Sequence, residues 1–204
     1  MPVACTTCGA ELETPLGCAA CGSLFEVAPD SDPFALFGLE PAFAVDAEPL
    51  RKRLLRFSRM THPDFYAGRP EEALAEANTA LLNRAYELLV DDVRRADWMV
   101  TAAGGPSESD ERSMPQVFLM EVLEWNETLE EARSSADVDL TSLERELREK
   151  RAEELSAIES KLSPIPADEA PEWTEVRRHL NAVRYLDRAL SQIAELSLNR
   201  ASSS

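Results

Sequence analysis

The sequence predicts a mainly α-helical protein with a small metal-binding head, a helical hairpin and a C-terminal three-helix bundle. Three observations lead to this fold class. All four cysteines fall within the first 21 residues, apolar residues recur at helical spacing in the rest of the chain, and no alternating run of strand length occurs after residue 27. Turn-forming stretches at residues 27–33 and 104–110 divide the chain into residues 1–31, 32–105 and 106–204.

The composition excludes several classes of protein. The 204 residues are 44% hydrophobic, which is enough to bury a core. No apolar run approaches the roughly eighteen residues that a membrane helix needs, and the N-terminus lacks the basic and apolar regions of a secretion signal. The net charge of −17 repels nucleic acid. We therefore expect a cytoplasmic protein whose partners are neither membranes nor nucleic acids.

The cysteines of the head form two Cys-x-x-Cys pairs, each followed by glycine. The turns at Gly9 and Gly22 favour a residue that tolerates positive φ. Four thiolates complete a tetrahedral site with no open position, and the few large apolar residues of the head do not suffice to fold it without a metal. We predict structural zinc, with iron in a rubredoxin-like site and a redox disulfide pair as the alternatives. The predicted ligands are Cys5, Cys8, Cys18 and Cys21.

Two helices are predicted at the start of the middle segment. Asp32 caps a short helix with Pro33 in its first position, and Gly38 ends that helix. A second helix begins after the cap residue Asp46 and ends near Thr61.

The second helix is amphipathic. Leu50, Leu54 and Phe57 have the i, i+4, i+7 spacing of one buried stripe. The opposite face carries cations at the same spacing, which predicts a solvent-facing basic ridge; the alternative interpretation is an ordinary solvated face. The ridge residues are Lys52, Arg56 and Arg59.

A loop follows this helix, because Pro63 disfavours helical backbone at the preceding residue and Gly68 prolongs the break. A third helix is predicted from about Glu71 to Asp91, antiparallel to the second. Its predicted buried face consists of Leu74, Leu81, Ala85 and Leu88. The two helices form a hairpin, and a histidine, a proline and an aspartate make up its tip. Taken alone, such a tripeptide is more often a helix stop than a binding motif. The tip consists of His62, Pro63 and Asp64.

Three further helices are predicted in the tail. They run from Pro115 to about Arg133, from Leu140 to Leu162 and from about Glu172 to Leu198. A polar break at residues 134–137 separates the first two, and a proline-rich loop at residues 163–171 separates the last two. Helices joined in this way form an antiparallel bundle. The apolar side of the last helix consists of Val176, Leu180, Val183 and Leu190.

Placed between a basic helix and a long helix, the tip resembles the signature loop of J-domains, the activators of DnaK-class chaperones. Further stretches are similar to the HscB-type J-domain co-chaperones of iron-sulfur cluster assembly, some of which also carry a four-cysteine head. The resemblance covers most of residues 32–198. The similar stretches are residues 32–39, 82–89, 95–98, 118–124 and 183–188.

The resemblance implies a co-chaperone with two binding surfaces and no bond-making chemistry of its own. It implies that the J-domain, residues 32–105, docks its tip and ridge on an HscA or DnaK-class ATPase and stimulates that partner. It also implies that the bundle, residues 106–204, grips the IscU-type scaffold protein. On spacing alone, the apolar members of the scaffold-binding set are more often core residues. The implied scaffold-binding residues are Leu119, Met120, Leu123, Glu124, Glu127, Glu131 and Tyr185.

Three positions depart from the family pattern: Phe65 stands where a lysine is frequent, Asp92 where a proline is frequent, and Tyr185 where a phenylalanine is frequent. The rival hypotheses are a metal-dependent redox protein that works through the cysteine head and a general J-domain co-chaperone for unfolded clients. The sequence contains no apparent set of nucleophile, base and orienting group, and no Gly-rich phosphate loop. The lone His179 is predicted at the surface, and the pair Glu153 and Glu154 on a solvated helix face.

Overall fold

The computed structural model of the chain describes residues 3–135, 138–162 and 172–202. Within these ranges the fold is mainly helical, with seven α-helices, one short 3₁₀ helix and no strand, which confirms the predicted fold class. The chain forms two compact units, Met1–Arg95 and Ala96–Ser204. The helices are α1 (Pro33–Leu36), α2 (Ala47–Thr61), the 3₁₀ helix (Pro63–Phe65), α3 (Glu72–Val90), α4 (Asp92–Ala102), α5 (Gln116–Ser134), α6 (Thr141–Leu162) and α7 (Trp173–Ser202).

Two of the predicted connections fall on residues that the structure does not describe. The proline-rich loop at 163–171 lies outside the described residues, as do the two central positions of the polar break, 136 and 137.

The first unit contains the short helix α1, and its predicted cap and stop are confirmed. The carboxylate of Asp32 accepts a hydrogen bond from the Phe34 N–H (2.8 Å), and Pro33 opens the first turn. Gly38 follows the helix with φ 62°. A Cβ at Gly38 would lie 2.5 Å from the carbonyl oxygen of Glu13, so the close passage of the head requires glycine here.

Helix α2 also follows the prediction. The carboxylate of Asp46 caps it by accepting a hydrogen bond from the Glu48 N–H (3.0 Å), and the helix ends at Thr61. Leu50 and Phe57 are buried. Leu54, the third residue of the predicted stripe, is half-buried.

The buried face of α3 is rotated relative to the predicted face. Leu81 and Ala85 are buried as predicted, but Leu74 and Leu88 are only half-buried. The reason is that the head packs on the side of α3 that carries Asn78. The side chain of Asn78 donates hydrogen bonds to two carbonyls of the head. The remaining buried residues of α3 are Ala75, Leu82 and Leu89.

Helix α4 is a separate element that the sequence analysis did not predict. The carboxylate of Asp91 accepts hydrogen bonds from the backbone N–H groups of Val93 and Arg94 (3.0 Å each) and so starts a new helix. Arg95 lies buried within the first turn, and its guanidinium donates to the carbonyls of Phe43 and Leu89 (2.6 Å each). An aspartate followed by helix-favouring residues was the signal for this start.

In the second unit, α5, α6 and α7 begin and end within a few residues of the predicted bounds. Their apolar sides form one core, in which the ring centroids of Phe118 and Trp125 lie 5.5 Å apart. The predicted stripe of α7 faces inward, with three members fully buried and the fourth partly buried. Other large side chains of this core are Leu129, Leu143, Leu147, Leu186 and Ile193.

The predictions for His179 and Glu154 are wrong. Glu154 is buried and His179 is largely buried, with 8% and 16% of their side chains exposed, and His179 Nδ1 lies 2.6 Å from Glu154 Oε2. Each group supplies the hydrogen-bond partner of the other, which is the condition for burying polar side chains. Glu153, by contrast, is exposed as predicted.

A second buried polar group, Arg177, anchors α7 to the segment that precedes the bundle. Its side chain is 1% exposed, and it donates from Nε to the Pro106 carbonyl (2.8 Å) and from Nη1 to Asp97 Oδ1 (2.5 Å). The planar guanidinium satisfies a backbone carbonyl and a carboxylate at the same time.

We expect Arg177→Met to destabilise the chain by about 3 kcal/mol, because the substitution removes one partner of a buried ion pair and leaves a carbonyl unsatisfied. Urea unfolding followed by circular dichroism measures the change. Arg145→Met is the control, since its pair with Glu149 is exposed and is worth less than about 1 kcal/mol. Equal unfolding midpoints for the two variants would show that the buried pair has no special weight.

Candidate functional sites

The four cysteines of the head converge on one point. Their sulfur atoms all lie within 4.8 Å of one another, and the distances Cys5–Cys21 and Cys8–Cys18 are both 3.7 Å. Sulfur atoms bound at the usual 2.3 Å to a tetrahedral zinc ion stand about 3.8 Å apart. The donor set and its spacing therefore fit a tetrahedral thiolate-bound metal, and iron fits the same spacing.

The backbone of each knuckle explains why the cysteines meet. The N–H of Gly9 donates to the Cys5 carbonyl (2.8 Å), and the N–H of Gly22 donates to the Cys18 carbonyl (2.9 Å). Both glycines have φ 75°. Each pair thus lies on a tight turn that only glycine closes without strain.

The thiols differ in acidity because their neighbours differ. Hydrogen bonds from the hydroxyl and backbone N–H of Ser23 lower the pKa of Cys21 to about 6. The Ala10 N–H lowers the pKa of Cys8, but the adjacent Cys21 and Cys5 sulfurs outweigh it and raise that pKa to about 12. At neutral pH the cluster therefore offers a thiolate as a first ligand, and a bound cation displaces the remaining protons.

We expect the full chain to bind one metal ion and Cys18→Ser to bind none, because a three-thiolate remnant loses the closed tetrahedral shell. Elemental analysis of the purified protein measures the stoichiometry, and visible absorption distinguishes iron from colourless zinc. Thr7→Ser, in the same knuckle but not a ligand, is the control and should keep the metal. Retention of a full equivalent of metal by Cys18→Ser would remove Cys18 from the ligand set.

The hairpin tip is exposed. The side chain of His62 is 50% exposed and that of Asp64 is 87% exposed. His62 has the extended backbone (φ −64°, ψ 124°) expected before Pro63, which is half-buried. His62 Nδ1 accepts a hydrogen bond from the Asp64 N–H (3.3 Å). The neutral imidazole therefore carries its proton on Nε2.

The tip is also ordered by its aromatic neighbours. The ring of Phe65 meets the imidazole of His62 edge to face, with 5.9 Å between centroids. The hydroxyl of Tyr66 lies 3.0 Å from the Met60 carbonyl and 3.2 Å from the Gly22 carbonyl. Burial raises the pKa of Tyr66, so its hydroxyl keeps the hydrogen that it donates.

The three cations of the ridge are exposed, but they are not equally available. Lys52 pairs with Glu48 one turn away (2.7 Å), and Arg56 pairs with Glu13 of the head. Within the described ranges, Arg59 makes no ion pair. A partner that binds the ridge can therefore pair with Arg59 directly, whereas it must displace Glu48 from Lys52 and Glu13 from Arg56.

On α5, the structure places the apolar residues of the predicted scaffold surface at the exterior. Leu119, Met120 and Leu123 are 43%, 74% and 66% exposed, while the neighbouring Phe118 is buried in the core of the bundle. Tyr185 is half-buried, and its hydroxyl donates to Asn126 Oδ1 (2.9 Å). The acidic members of the set are all exposed: Glu124, Glu127 and Glu131.

Three residues with a part in these sites were missed by the sequence analysis: Glu13, Tyr66 and Asn78. Asn78 carried a readable signal, since it follows Ala75 by three positions and precedes Leu82 by four on the apolar face of α3. Glu13 carried none, because its partner Arg56 is distant in sequence.

The comparisons with known proteins all return proteins or domains named HscB. A family model described as the HSCB C-terminal oligomerisation domain matches residues 114–194. The co-chaperone protein HscB homolog of Neisseria meningitidis serogroup A is 30% identical over 155 residues, which cover 74% of this chain and 93% of the relative. The HscB homolog of Mannheimia succiniciproducens is 29% identical over 171 residues, which cover 81% and 95%.

Two solved structures share the fold. The crystal structure of human co-chaperone protein HscB has a TM-score of 0.70 at 24% identity and covers 97% of this chain and 98% of its own. Chaperone HscB from Vibrio cholerae has a TM-score of 0.67 at 22% identity, with coverages of 83% and 99%.

The fold and these matches define a helical protein of the co-chaperone class. More particularly, the chain belongs to the HscB co-chaperone family. In the described parts of the chain, each helix is too short or too polar to cross a membrane.

Proposed function

We propose that this chain is a J-domain co-chaperone that stimulates the ATPase of an HscA or DnaK-class chaperone and delivers an IscU-type iron-sulfur scaffold protein to it. ATP hydrolysis takes place in the partner, and this chain makes and breaks no bonds. The observation that carries the proposal is the exposed tip of His62 and Asp64 beside a basic ridge, in a member of the HscB family.

The tip and the ridge together have the chemistry to recognise a polar, acidic surface. The imidazole of His62 offers a hydrogen-bond donor at Nε2. The carboxylate of Asp64, two residues later in the chain, offers an acceptor, and its Oδ2 lies 3.7 Å from His62 Nδ1. The cations beside them attract an acidic partner over a distance of about 10 Å and raise the rate of encounter. Phe65, exposed next to the imidazole, adds an apolar contact at the tip.

The outer face of α5 has the composition of a protein-binding surface. Exposed leucine and methionine side chains at helical spacing give an apolar centre, and glutamates border it. Such a surface fits a partner with an apolar centre and basic residues around it, and we assign it to the scaffold protein.

Residues 32–105 act as the J-domain in this proposal, and residues 106–204 hold the scaffold. One chain that binds both partners raises the effective concentration of one for the other. The head, residues 1–31, holds a structural zinc ion, and the protein works in the cytoplasm.

We expect His62→Gln to raise the co-chaperone concentration needed for half-maximal ATPase stimulation by about thirtyfold, the effect of losing a central contact at an interface. The readout is ATP turnover by the partner chaperone as co-chaperone is titrated. Asp64→Asn should act in the same direction. Asp30→Asn, which changes an exposed acid that precedes the J-domain in sequence, is the control, and undiminished stimulation by His62→Gln would refute the J-domain assignment.

We expect the double variant Leu119→Ala/Leu123→Ala to weaken scaffold binding by about thirtyfold, because two exposed apolar contacts are lost. Titration calorimetry with the scaffold protein measures this, and the unfolding midpoint should stay unchanged because neither side chain is in the core. Leu198→Ala removes an equally apolar exposed side chain from α7 and serves as the control. Unchanged scaffold affinity in the double variant would move the scaffold surface off α5.

A further inference from the structure

We propose that the second cysteine knuckle, residues 18–22, positions the hairpin tip, so that metal bound by the head and chaperone bound at the tip stabilise each other. The inference rests on the proposed chaperone contact at the tip. It makes Tyr66 and Asn78 positioning residues, since neither belongs to the ligand set or to the ridge.

Asn78 fixes the base of this knuckle to α3. Its side chain is buried, with 2% of the residue exposed, and its Nδ2 donates to the carbonyls of Leu16 and Phe25 (3.0 Å each). These two residues flank the knuckle, and the N–H of Phe25 also donates to the Leu16 carbonyl (3.1 Å). The two hydrogens of one buried amide group therefore bind the segment that enters the knuckle and the segment that leaves it.

Tyr66 connects the far end of the knuckle to the tip. It lies directly after the 3₁₀ helix that contains Pro63 and Asp64. Its hydroxyl lies within hydrogen-bond distance of the Gly22 carbonyl, one residue after the ligand Cys21, and of the Met60 carbonyl in the last turn of α2. One hydroxyl thus touches the knuckle and the helix on which the tip is mounted.

Close packing adds to these hydrogen bonds. A Cβ at Gly17 would lie 3.3 Å from the terminal methyl of Met60 and 2.9 Å from the Ser23 carbonyl. The knuckle therefore lies against the end of α2 with no space for a side chain at Gly17. The head has few large apolar residues, so the knuckle needs bound metal to stay folded. Without metal, the knuckle therefore loses its contact with the end of α2.

The physical consequence is linkage. When two ligands favour the same ordered state of an element, each raises the affinity of the other by the same factor, commonly about fivefold or more. Metal orders the knuckle, and the knuckle supports the backbone of the tip. We therefore expect metal to protect the tip from local opening, and a docked chaperone to slow the release of metal.

The first test uses the full chain without any partner. The N–H groups of Phe65 and Tyr66 donate to the carbonyls of His62 and Pro63, so their hydrogen exchange, followed by NMR, reports opening of the tip. We expect exchange at both amides to be about fivefold slower in the Zn²⁺-loaded chain than in Cys18→Ser. Equal exchange rates in the two proteins would overturn the proposal.

Tyr66→Phe isolates the connecting hydroxyl without changing the ring. In the Zn²⁺-loaded chain it should speed exchange at the amides of residues 65 and 66, and in the Cys18→Ser background it should have no such effect, because the knuckle is already disordered there. Tyr86→Phe, which removes a tyrosine hydroxyl from α3, is the matched control and should change neither rate. The same effect of Tyr66→Phe in both backgrounds would mean that the hydroxyl acts through Met60 alone and would refute the link.

The second test adds the partner ATPase and measures the transfer of Zn²⁺ to a chelating dye. At a chaperone concentration that saturates the native chain but not His62→Gln, the chaperone should slow transfer about fivefold in the native chain, less in Tyr66→Phe, and not measurably in His62→Gln. Normal His62-dependent ATPase stimulation with no change in Zn²⁺ transfer would overturn the coupling and leave the proposed function standing. Loss of the His62 dependence, with the exchange difference of the first test intact, would instead overturn the proposed chaperone contact.

Discussion

The hairpin depends on the backbone restriction that Pro63 imposes on the residue before it. Helical geometry is disfavoured at His62, so α2 stops at Thr61 and leaves its last carbonyls without intrahelical partners. Thr79 of α3 supplies one of them, since its hydroxyl donates to the Thr61 carbonyl (2.8 Å) and lies 3.1 Å from the Thr61 hydroxyl. The proline therefore creates the turn, and a polar contact between the two helices fixes where it occurs.

This turn determines which groups are exposed. Thr61 is fully buried, whereas the next residue is half-exposed and Asp64 almost fully exposed. The chain thus passes from core to surface within three residues. The short 3₁₀ helix, with His62 as its N-cap, fixes the backbone here and so keeps the imidazole and the carboxylate at the surface. A hairpin with a flexible loop in this place would have to order these side chains each time a partner binds, which costs affinity.

Most of the fold was predictable because its signals are local. Caps such as Asp32 and Asp46, the prolines that break helices and the 3.6-residue apolar period all act within a few residues of sequence. The separate start of α4 was missed although Asp91 is a good cap residue, because the third helix was predicted to end there and no further helix was assigned to the residues that follow it. The paired cysteines were equally readable, since metal geometry imposes a strict spacing on their ligands.

The parts that were not predictable arise from contacts between distant residues. His179 and Glu154 were expected at the surface because a charged or titratable side chain on a polar helix is usually solvated. Their burial becomes acceptable only when α6 and α7 bring the two groups within hydrogen-bond distance. The same holds for Glu13 and Arg56, whose pairing depends on where the head lies on the hairpin.

The charge distribution separates the two proposed binding surfaces by chemistry. The ridge is a local concentration of cations in a chain of net charge −17, so it selects an acidic partner, while the apolar strip on α5 is bordered by glutamates and selects a basic one. A protein that fits one surface meets like charge on the other, and like charges brought together cost affinity. The pairing of Arg56 with Glu13 sharpens this selection at the ridge, because a weakly acidic surface gains little by displacing a glutamate that is already in place. Only a partner that offers several acidic groups, together with acceptors and donors for the tip, gains enough to bind there.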